Sequence, residues 1–586
     1  MKDIYSYVDW FEDQYINNPV TIEEGLLFSQ RDTLRTVTFY LSSKYLSGDK
    51  DELGKDKPFM NINVFRKNVA FRATEIDIKD IKVVADGVTG YDEAFLLGKG
   101  MYEWMKDTNH SEFLNDFTDI RPSDGSVCVK KVMRDGVLTL ELPLLKNLVT
   151  DRVDMNSGTV IETHYLLPEE FMSMSETWDM GSKSLDDILE EAQKQRDYDG
   201  RIKVKEVHGV FPDSYIEGGE DGKYTRQCHY IVCAKKEYDV YQEYEEESPY
   251  RFLPWRKRPG LPNGLGVGVV EDGFEAQTWV NDAVMKEHRM MEILSRVIVK
   301  STVKNAGNNI ITDYDNGQII ELQDGAEFSK VDLTPSSLPE LGNLVKRWDD
   351  QYERVSSTFN AITGEQMPSG TPYRQTAILN QEAGSLFDCR REEAGIFLSK
   401  IYMDWVIPYI IDVYNNKGEI TSDYFSKEEL QMLDEAFAAN KANNKTLEDI
   451  LGGELVDDNL IAGYENVFNK AISEQKKTGS MRSLKIPKGY FKNVKYKVTI
   501  DITGEKKNKA VILESLNNIL LTIAKNPSIL ENPMTLNLFT EIMETAGISP
   551  VAILGGLKGQ ADMMKQMQGQ SDTQQIIQNE QTQPIA

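Results

Sequence analysis

Residue types that could carry chemistry are sparse and scattered in this chain. Gly264, Gly266 and Gly268 in GLGVGVVEDG would let a backbone approach a phosphate. The full dinucleotide pattern is missing, the preceding residues read as a Pro-rich loop, and no Gly-Lys-Ser/Thr follows as a Walker loop requires. A nucleotide-dependent enzyme with a site near Gly264–Gly268 is therefore an alternative, not the leading expectation. His110, His164, His208, His229 and His288 are the five histidines. None lies in HExxH, and no serine lies in G-x-S-x-G. Cys228 and Cys233 flank His229 in CHYIVC, without the spacing of a tetrahedral metal set; the alternation reads as buried strand cysteines. DYDNG lacks calcium-ligand spacing and reads as a hairpin turn. Asp349 and Asp350 are adjacent on a helical pattern, so they point to different sides and make poor partners for acid–base work. The expectation is a protein with no catalytic residues, no metal and no cofactor.

The elements that would position any site form a long, acidic chain. It has 586 residues and a formal net charge of −28, with 40% hydrophobic and 27% charged residues. That length implies several subdomains. That charge would repel a polyanion over most of the surface, so any contact with DNA must be local, loose or transient. Four cysteines give no disulfide framework. The opening residues lack the apolar core of a signal peptide, and IYMDWVIPYIIDVY is interrupted by Asp404, Pro408 and Asp412, so no membrane is expected.

Residues 1–57 read as helices, followed by a helix over 59–73 and a strand in IDIKDIKVVADG. Alternating runs flank Asp135-Gly136, a two-residue hairpin signal. Strands are expected in TVIETHYLL, IKVKEVHGVF and RQCHYIVCA, with an acidic helix near 184–195 between them. The basic, aromatic stretch PYRFLPWRKRPG reads first as a boundary loop and second as a docking patch. A helix runs from Phe274 to about Lys300, with Val280, Val284, Met291, Leu294 and Ile298 on one stripe. A second helix from Pro339 carries Leu341, Leu344, Val345, Trp348, Tyr352, Val355 and Phe359. Between them NNIITDYDNGQIIELQ reads as a hairpin turning at Asn316-Gly317. Two amphipathic helices bracketing a small β module make an antiparallel stalk with a tip. Pro368, Gly370 and Pro372 then stop the helical pattern before a long helix that Pro408 should kink. Ser426 to Glu429 fits a capping box, VKYKVTIDITG alternates as a strand, and the end is Gln-rich.

The order of these parts resembles the portal proteins of tailed bacteriophages over about residues 1–556, the short-tailed, crAss-like group being nearest in kind. The resemblance rests on KPFMNINVFRKNVAFRATEIDIKDIKVV, on SPYRFLPWRKRPGLPNGLGVGVVEDGFEAQTWVND with its Gln277-x-x-x-Asn281, on LGNLVKRWDDQYERVSSTFNAITGEQMPSG, and on TPYRQTAILNQEAGSLFDCRREEAGIFLSKIYMDWVIPYII. These motifs are diffuse; their order and spacing carry the likeness. The fold it implies is α+β and mainly helical: N-terminal helices over 1–57, an α/β wing over 58–273, stem helices over 274–300 and 338–360, a small β-containing clip over 301–337, a tunnel loop over 361–372, a long kinked helix over 373–415, a helical crown with a wing-closing strand over 416–556, and a Gln-rich tail over 557–586.

The function implied is that of the head–tail connector. A homo-oligomer of twelve copies forms a ring at one capsid vertex of the virion, assembled in the host cytoplasm. Double-stranded DNA passes through it, held weakly and without specificity. The partners implied are the terminase large subunit, the major capsid protein and tail adaptor proteins. The tunnel loop and its flank (Glu365, Gln366, Met367, Pro368, Ser369, Gly370, Thr371 and Arg374) would face the channel. Lys300, Lys304 and Lys330 would be its basic contacts, and Asp313, Asp315, Asn316 and Gly317 of the clip would meet the motor or adaptors. Trp279, Trp348, Tyr352 and Phe359 on the stem stripes are expected at subunit contacts, since large obligate interfaces are apolar. A ring-forming adaptor or tail structural protein without a channel is a further alternative.

Overall fold

The computed structural model describes the chain except residues 1–2, 18, 24–25, 42–61, 86–90, 176–184, 195–199, 217, 221, 235, 295–298, 302–327, 331–337, 359–372, 418, 422–424, 453–457, 480–482, 487–489, 492–494 and 501–586. It is a mixed α+β chain, mainly helical, in two compact units. The first comprises 1–75, 115–130 and 140–387; the second comprises 76–114, 131–139 and 388–586. In this division 76–114 clusters with the chain beyond 388.

The first unit is built on a five-stranded antiparallel sheet. Its strands, in spatial order, are Glu237–Tyr244, Tyr224–Cys233, Ile202–Pro212, Val160–Leu166 and Leu148–Thr150. Both faces of the central strand are covered, so it is buried nearly throughout rather than alternately. One face carries Ile161, Val207, Phe211 and Ile231 against Ile4, Val8 and Tyr15 of the helix Ile4–Asn17. On the other face, Val204, Ile202 and Val232 pack with Ile188 and Ala192 of the helix Leu185–Lys194. A three-stranded sheet holds Ser126–Arg134 between Tyr250–Pro254 and Val137–Glu141. Its turn is as the sequence predicts: Asp135 and Gly136 both have positive φ, 50° and 76°.

The expectation of helices throughout 1–57 is corrected. Between the helices Ile4–Asn17 and Gln30–Leu41, Val20–Glu23 pairs with Leu26–Phe28 as a short hairpin containing a bulge. Buried Phe28 joins the core with Cys128, Tyr250 and Phe252. Tertiary burial of that one ring outweighs the helical pattern of the local sequence.

In the second unit the strand Ile81–Ala85 pairs antiparallel with Tyr496–Ile500, and the helix Tyr91–Asp107 packs on it. The capping box is present: Glu429 N–H donates to Ser426 Oγ at 3.2 Å, and Ser426 N–H to Glu429 Oε2 at 2.8 Å. By length and composition the run Leu386–Asn416 could cross a bilayer, against the expectation that no segment is long enough, yet half of its apolar window is buried inside the protein. Leu398, Ile401, Tyr402, Trp405, Val406, Ile410 and Tyr414 are core residues of the second unit. Ahead of Pro408 the helix widens into one π turn, Tyr402–Val406. Proline offers no N–H and crowds the carbonyl four residues back; a wider turn relieves both.

Candidate functional site

Three places could hold function, each within the first unit. The first is the helical pair Phe274–Leu294 and Leu338–Ser356, which pack on each other. Its root is tightly built. Gln277 Oε1 accepts the N–H groups of Ile62 (3.0 Å) and Asn63 (3.3 Å), satisfying orphan donors at the start of the helix Ile62–Thr74. From that helix buried Arg66 pairs with Asp349 at 2.7 Å and donates to the Thr358 carbonyl at 2.8 Å. Ala276, Val280, Tyr352 and Phe387 complete the core around Trp255 and Val269. Towards the other end the burial stops. Among the described residues, none of the first helix beyond Ala283 is buried, and none of the second before Tyr352. There, among the described residues, the apolar stripe is only partly covered: Leu341, Leu344, Val345 and Trp348 are half-covered, Val345 and Trp348 against the root core, and Met291 is 54% exposed. Trp279 and Trp348 stack at 6.1 Å, nearly parallel. A cleft of about 620 Å³ runs between Lys286, Arg289, Met290, Leu341, Leu344 and Arg347.

The structure sorts the expected interface residues. Tyr352 is 2% exposed, and its hydroxyl donates to the Val269 carbonyl at 2.9 Å. It is spent inside its own chain and has no face for a second subunit, which corrects that expectation. Trp279 keeps 49% of its surface exposed. The first stem helix is described over Phe274–Leu294, and 295–298 lie outside the described residues; Lys300 lies not in a helix but in the strand Val299–Ser301, opposite Ser329 of the strand Phe328–Lys330, and Lys330 lies opposite Val299. Arg374 lies in the first turn of the helix Tyr373–Ile401. Glu365, Gln366, Met367, Pro368, Ser369, Gly370 and Thr371 of the loop, Lys304, Phe359, and Asp313, Asp315, Asn316 and Gly317 lie outside the described residues.

The second place is the glycine corner. A side chain at Gly266 would lie 2.3 Å from the Gly125 carbonyl oxygen, at Gly268 2.6 Å from that of Pro122, and at Gly264 2.6 Å from that of Arg152. These glycines let backbone meet backbone; the space a phosphate would need is filled. Arg258 straps the corner, donating twice to Glu271 (2.8 and 2.7 Å) and lying 4.0 Å over the Phe28 ring. Arg256 pairs with Asp272 at 2.5 Å. Two arginines of PYRFLPWRKRPG thus have internal partners, in line with a boundary loop. Gly125 has φ +82° and would place a Cβ 2.6 Å from the Gly266 carbonyl. Gly125→Ala is expected to lower stability by at least about 1–2 kcal/mol from the backbone conformation alone, read as a fall in the midpoint of thermal unfolding.

The third place was not legible as a site. On the sheet face turned to Ser126–Arg134, the register sets Glu162 directly opposite Glu206, and His208 opposite Cys228. Two carboxylates facing across strands repel. Lys130 Nζ reaches both, 2.7 Å from Glu162 Oε2 and 2.5 Å from Glu206 Oε2. Tyr250 donates to Glu162 Oε2 at 2.7 Å, and His164 Nε2 lies 2.7 Å from Glu206 Oε2. His208 sits between acids: Nε2 is 2.8 Å from Glu206 Oε1, and Nδ1 is 2.7 Å from Glu245 Oε1. Cys228 Sγ lies 3.8 Å from His208 Nε2. Burial would raise the Glu206 carboxyl, but Lys130, His164 and His208 outweigh it and hold it well below the usual range. Burial would also lower Lys130 and His208; the carboxylates around each, with Cys228 beside His208, push both above their ordinary values. Burial pushes the Cys228 thiol above its ordinary value.

Sequence reasoning sets these residues apart, because they come from strands starting at 126, 160, 202, 224 and 250. The available signal was a repeated Glu-x-His, Glu162–His164 and Glu206–His208, on adjacent strands: period two puts each pair on one face. Of the two cysteines expected to be buried in a strand, Cys228 is buried, whereas Cys233, at the end of the same strand, is only partly covered. Comparison with known protein families and with curated proteins finds no match for this chain.

Proposed function

We propose that this chain is the subunit of a ring-forming portal, the head–tail connector through which a tailed phage passes double-stranded DNA. The observation that supports this most is the helical arm: a pair rooted in a dense core whose outer turns leave their apolar stripe half-covered. A monomer has no use for such a surface; a copy of the same chain seated beside it, over Met291 and the cleft at Leu341 and Leu344, would cover it. The strands Val299–Ser301 and Phe328–Lys330 pair antiparallel, with Ser301 opposite Phe328, and make the described tip of the arm. In the portal reading that tip docks the packaging motor and later the adaptors. The acidic balance suits a wall that DNA slides past, since repulsion reaches about 8–10 Å at physiological salt. The glycine corner's packing speaks against the nucleotide-enzyme alternative near Gly264–Gly268.

Negative-stain images of the purified full chain test the reading. Twelvefold views with a central hole are expected; a monomer at all concentrations, or a ring without an opening, would overturn it, the latter in favour of a non-channel adaptor. Met291→Glu should weaken ring association at least tenfold at neutral pH, measured by sedimentation, with helical content unchanged.

A further inference from the structure

We propose that Glu206, His208 and Cys228 form a structural zinc site, independent of whether the chain builds a portal. The three ligand atoms come from two neighbouring strands, with His208 and Cys228 directly paired across them. Glu206 Oε1, His208 Nε2 and Cys228 Sγ lie within 4.8 Å of one another, and all three residues are buried. With bonds of about 2.0 Å to nitrogen and 2.3 Å to sulfur, tetrahedral geometry sets nitrogen and sulfur about 3.5 Å apart. Here the separation is 3.8 Å. The 2.8 Å between Nε2 and Oε1 is a hydrogen-bond distance; zinc in place of that hydrogen would move the two atoms about half an ångström apart.

The surroundings of His208 are those of a metal-bound imidazole. Its second nitrogen, Nδ1, is fixed by Glu245 Oε1 at 2.7 Å, which orients the ring and aims Nε2 at Glu206 and Cys228. Glu245 Oε2 is itself buried with no hydrogen-bond partner. Glu206 is oriented likewise: Lys130 and His164 take Oε2, leaving Oε1 towards the site. The neighbouring trio Glu162, His164 and Glu206 is the weaker choice, because Lys130 Nζ lies 2.7 and 2.5 Å from its carboxylates and supplies the cation there. The donor set of one thiolate, one imidazole and one carboxylate suits zinc rather than calcium or magnesium, which take oxygen ligands. Burial suits a structural role, loaded as the sheet closes.

The test uses the full chain carrying Cys389→Ser, since Cys389 is exposed and could bind metal by itself. Elemental analysis of protein purified without chelator should find one zinc per chain. After stripping, cobalt(II) should bind one per chain with a thiolate-to-metal charge-transfer absorption. That absorption should vanish in Cys228→Ser and persist in Cys233→Ser, and Glu245→Gln should weaken cobalt binding about 10–100-fold. No metal in the purified chain together with no charge-transfer absorption on adding cobalt would overturn the proposal, as would an absorption that survives Cys228→Ser. If Cys228→Ser does not fold, the decision rests on metal content and cobalt absorption of the parent chain, with Glu245→Gln as the second variant.

Discussion

Lys130→Met is expected to destabilise the first unit by about 3–5 kcal/mol, the usual consequence of removing one partner from a buried ion pair. The ammonium bridges Glu162 and Glu206, which the register forces face to face, at 2.7 and 2.5 Å. Methionine fills similar volume and offers no charge, so two buried carboxylates would be left in mutual repulsion. The double change Lys130→Met, Glu162→Gln removes the repulsion while leaving Glu206 to His164 and His208, and should recover most of the loss, because well-packed neutral replacements of buried ion pairs are often close to neutral in stability. Denaturant unfolding, with hydrogen exchange followed in Val160–Leu166 and Ile202–Pro212, measures both. A Lys130→Met protein as stable as the parent would show that the carboxylates are protonated or solvated, contrary to the geometry.

Acid should weaken the second unit through a single histidine. His110 is 1% exposed, stacks 4.7 Å from Phe113, and shares a 2.7 Å hydrogen bond with the Tyr402 hydroxyl. Burial pushes its pKa down to about 3, against about 6.5 in an unfolded chain. Between those values the unfolded chain binds a proton that the folded one refuses. Stability from this group is therefore complete above about pH 6.5 and falls as pH drops towards 3, by up to about 4–5 kcal/mol. His110→Gln keeps a hydrogen-bonding side chain without the titration. Its stability relative to the parent should rise steadily as pH is lowered through that window. A pH-independent difference between the two would refute the buried neutral state.

Much of the local structure was legible because it is local. The turn at Asp135-Gly136 needs positive φ at both residues, and the Ser426 box needs only residues three apart, so spacing alone carries them. The stem helices follow from apolar periodicity, although Lys300, expected at the end of the first, lies in Val299–Ser301, which pairs with Phe328–Lys330. Residues 20–28 went astray because a hairpin held by one buried ring leaves little trace in a helix-like composition. The buried cluster was illegible for a different reason. Glu, His and Lys in alternating positions normally mark a solvated sheet face, and nothing within a strand announces that a second sheet covers it. Only the coincidence of Glu-x-His on two adjacent strands could have raised the question. Tyr352 belonged to the right stripe, but spacing cannot tell whether a stripe is covered by its own chain or by another.

The π turn at Tyr402–Val406 works as a phase shifter. Leading into it, buried Ala394, Leu398 and Ile401 follow ordinary helical spacing, and Trp405 within the turn continues their line. Continued without interruption at 3.6 residues per turn, that line would bring Tyr409 and Asp412 inward next. The buried residues are instead Ile410, one position later, and Tyr414, two positions later, and Asp412 stays exposed. A single surplus residue, absorbed in one wide turn, thus resets the angular frame of everything downstream and keeps a carboxylate out of oil. Deleting Met403 would remove the surplus residue and close the turn with Ile410 still inward and Asp412 outward, whereas closing the turn with every residue kept would swing Asp412 into the core.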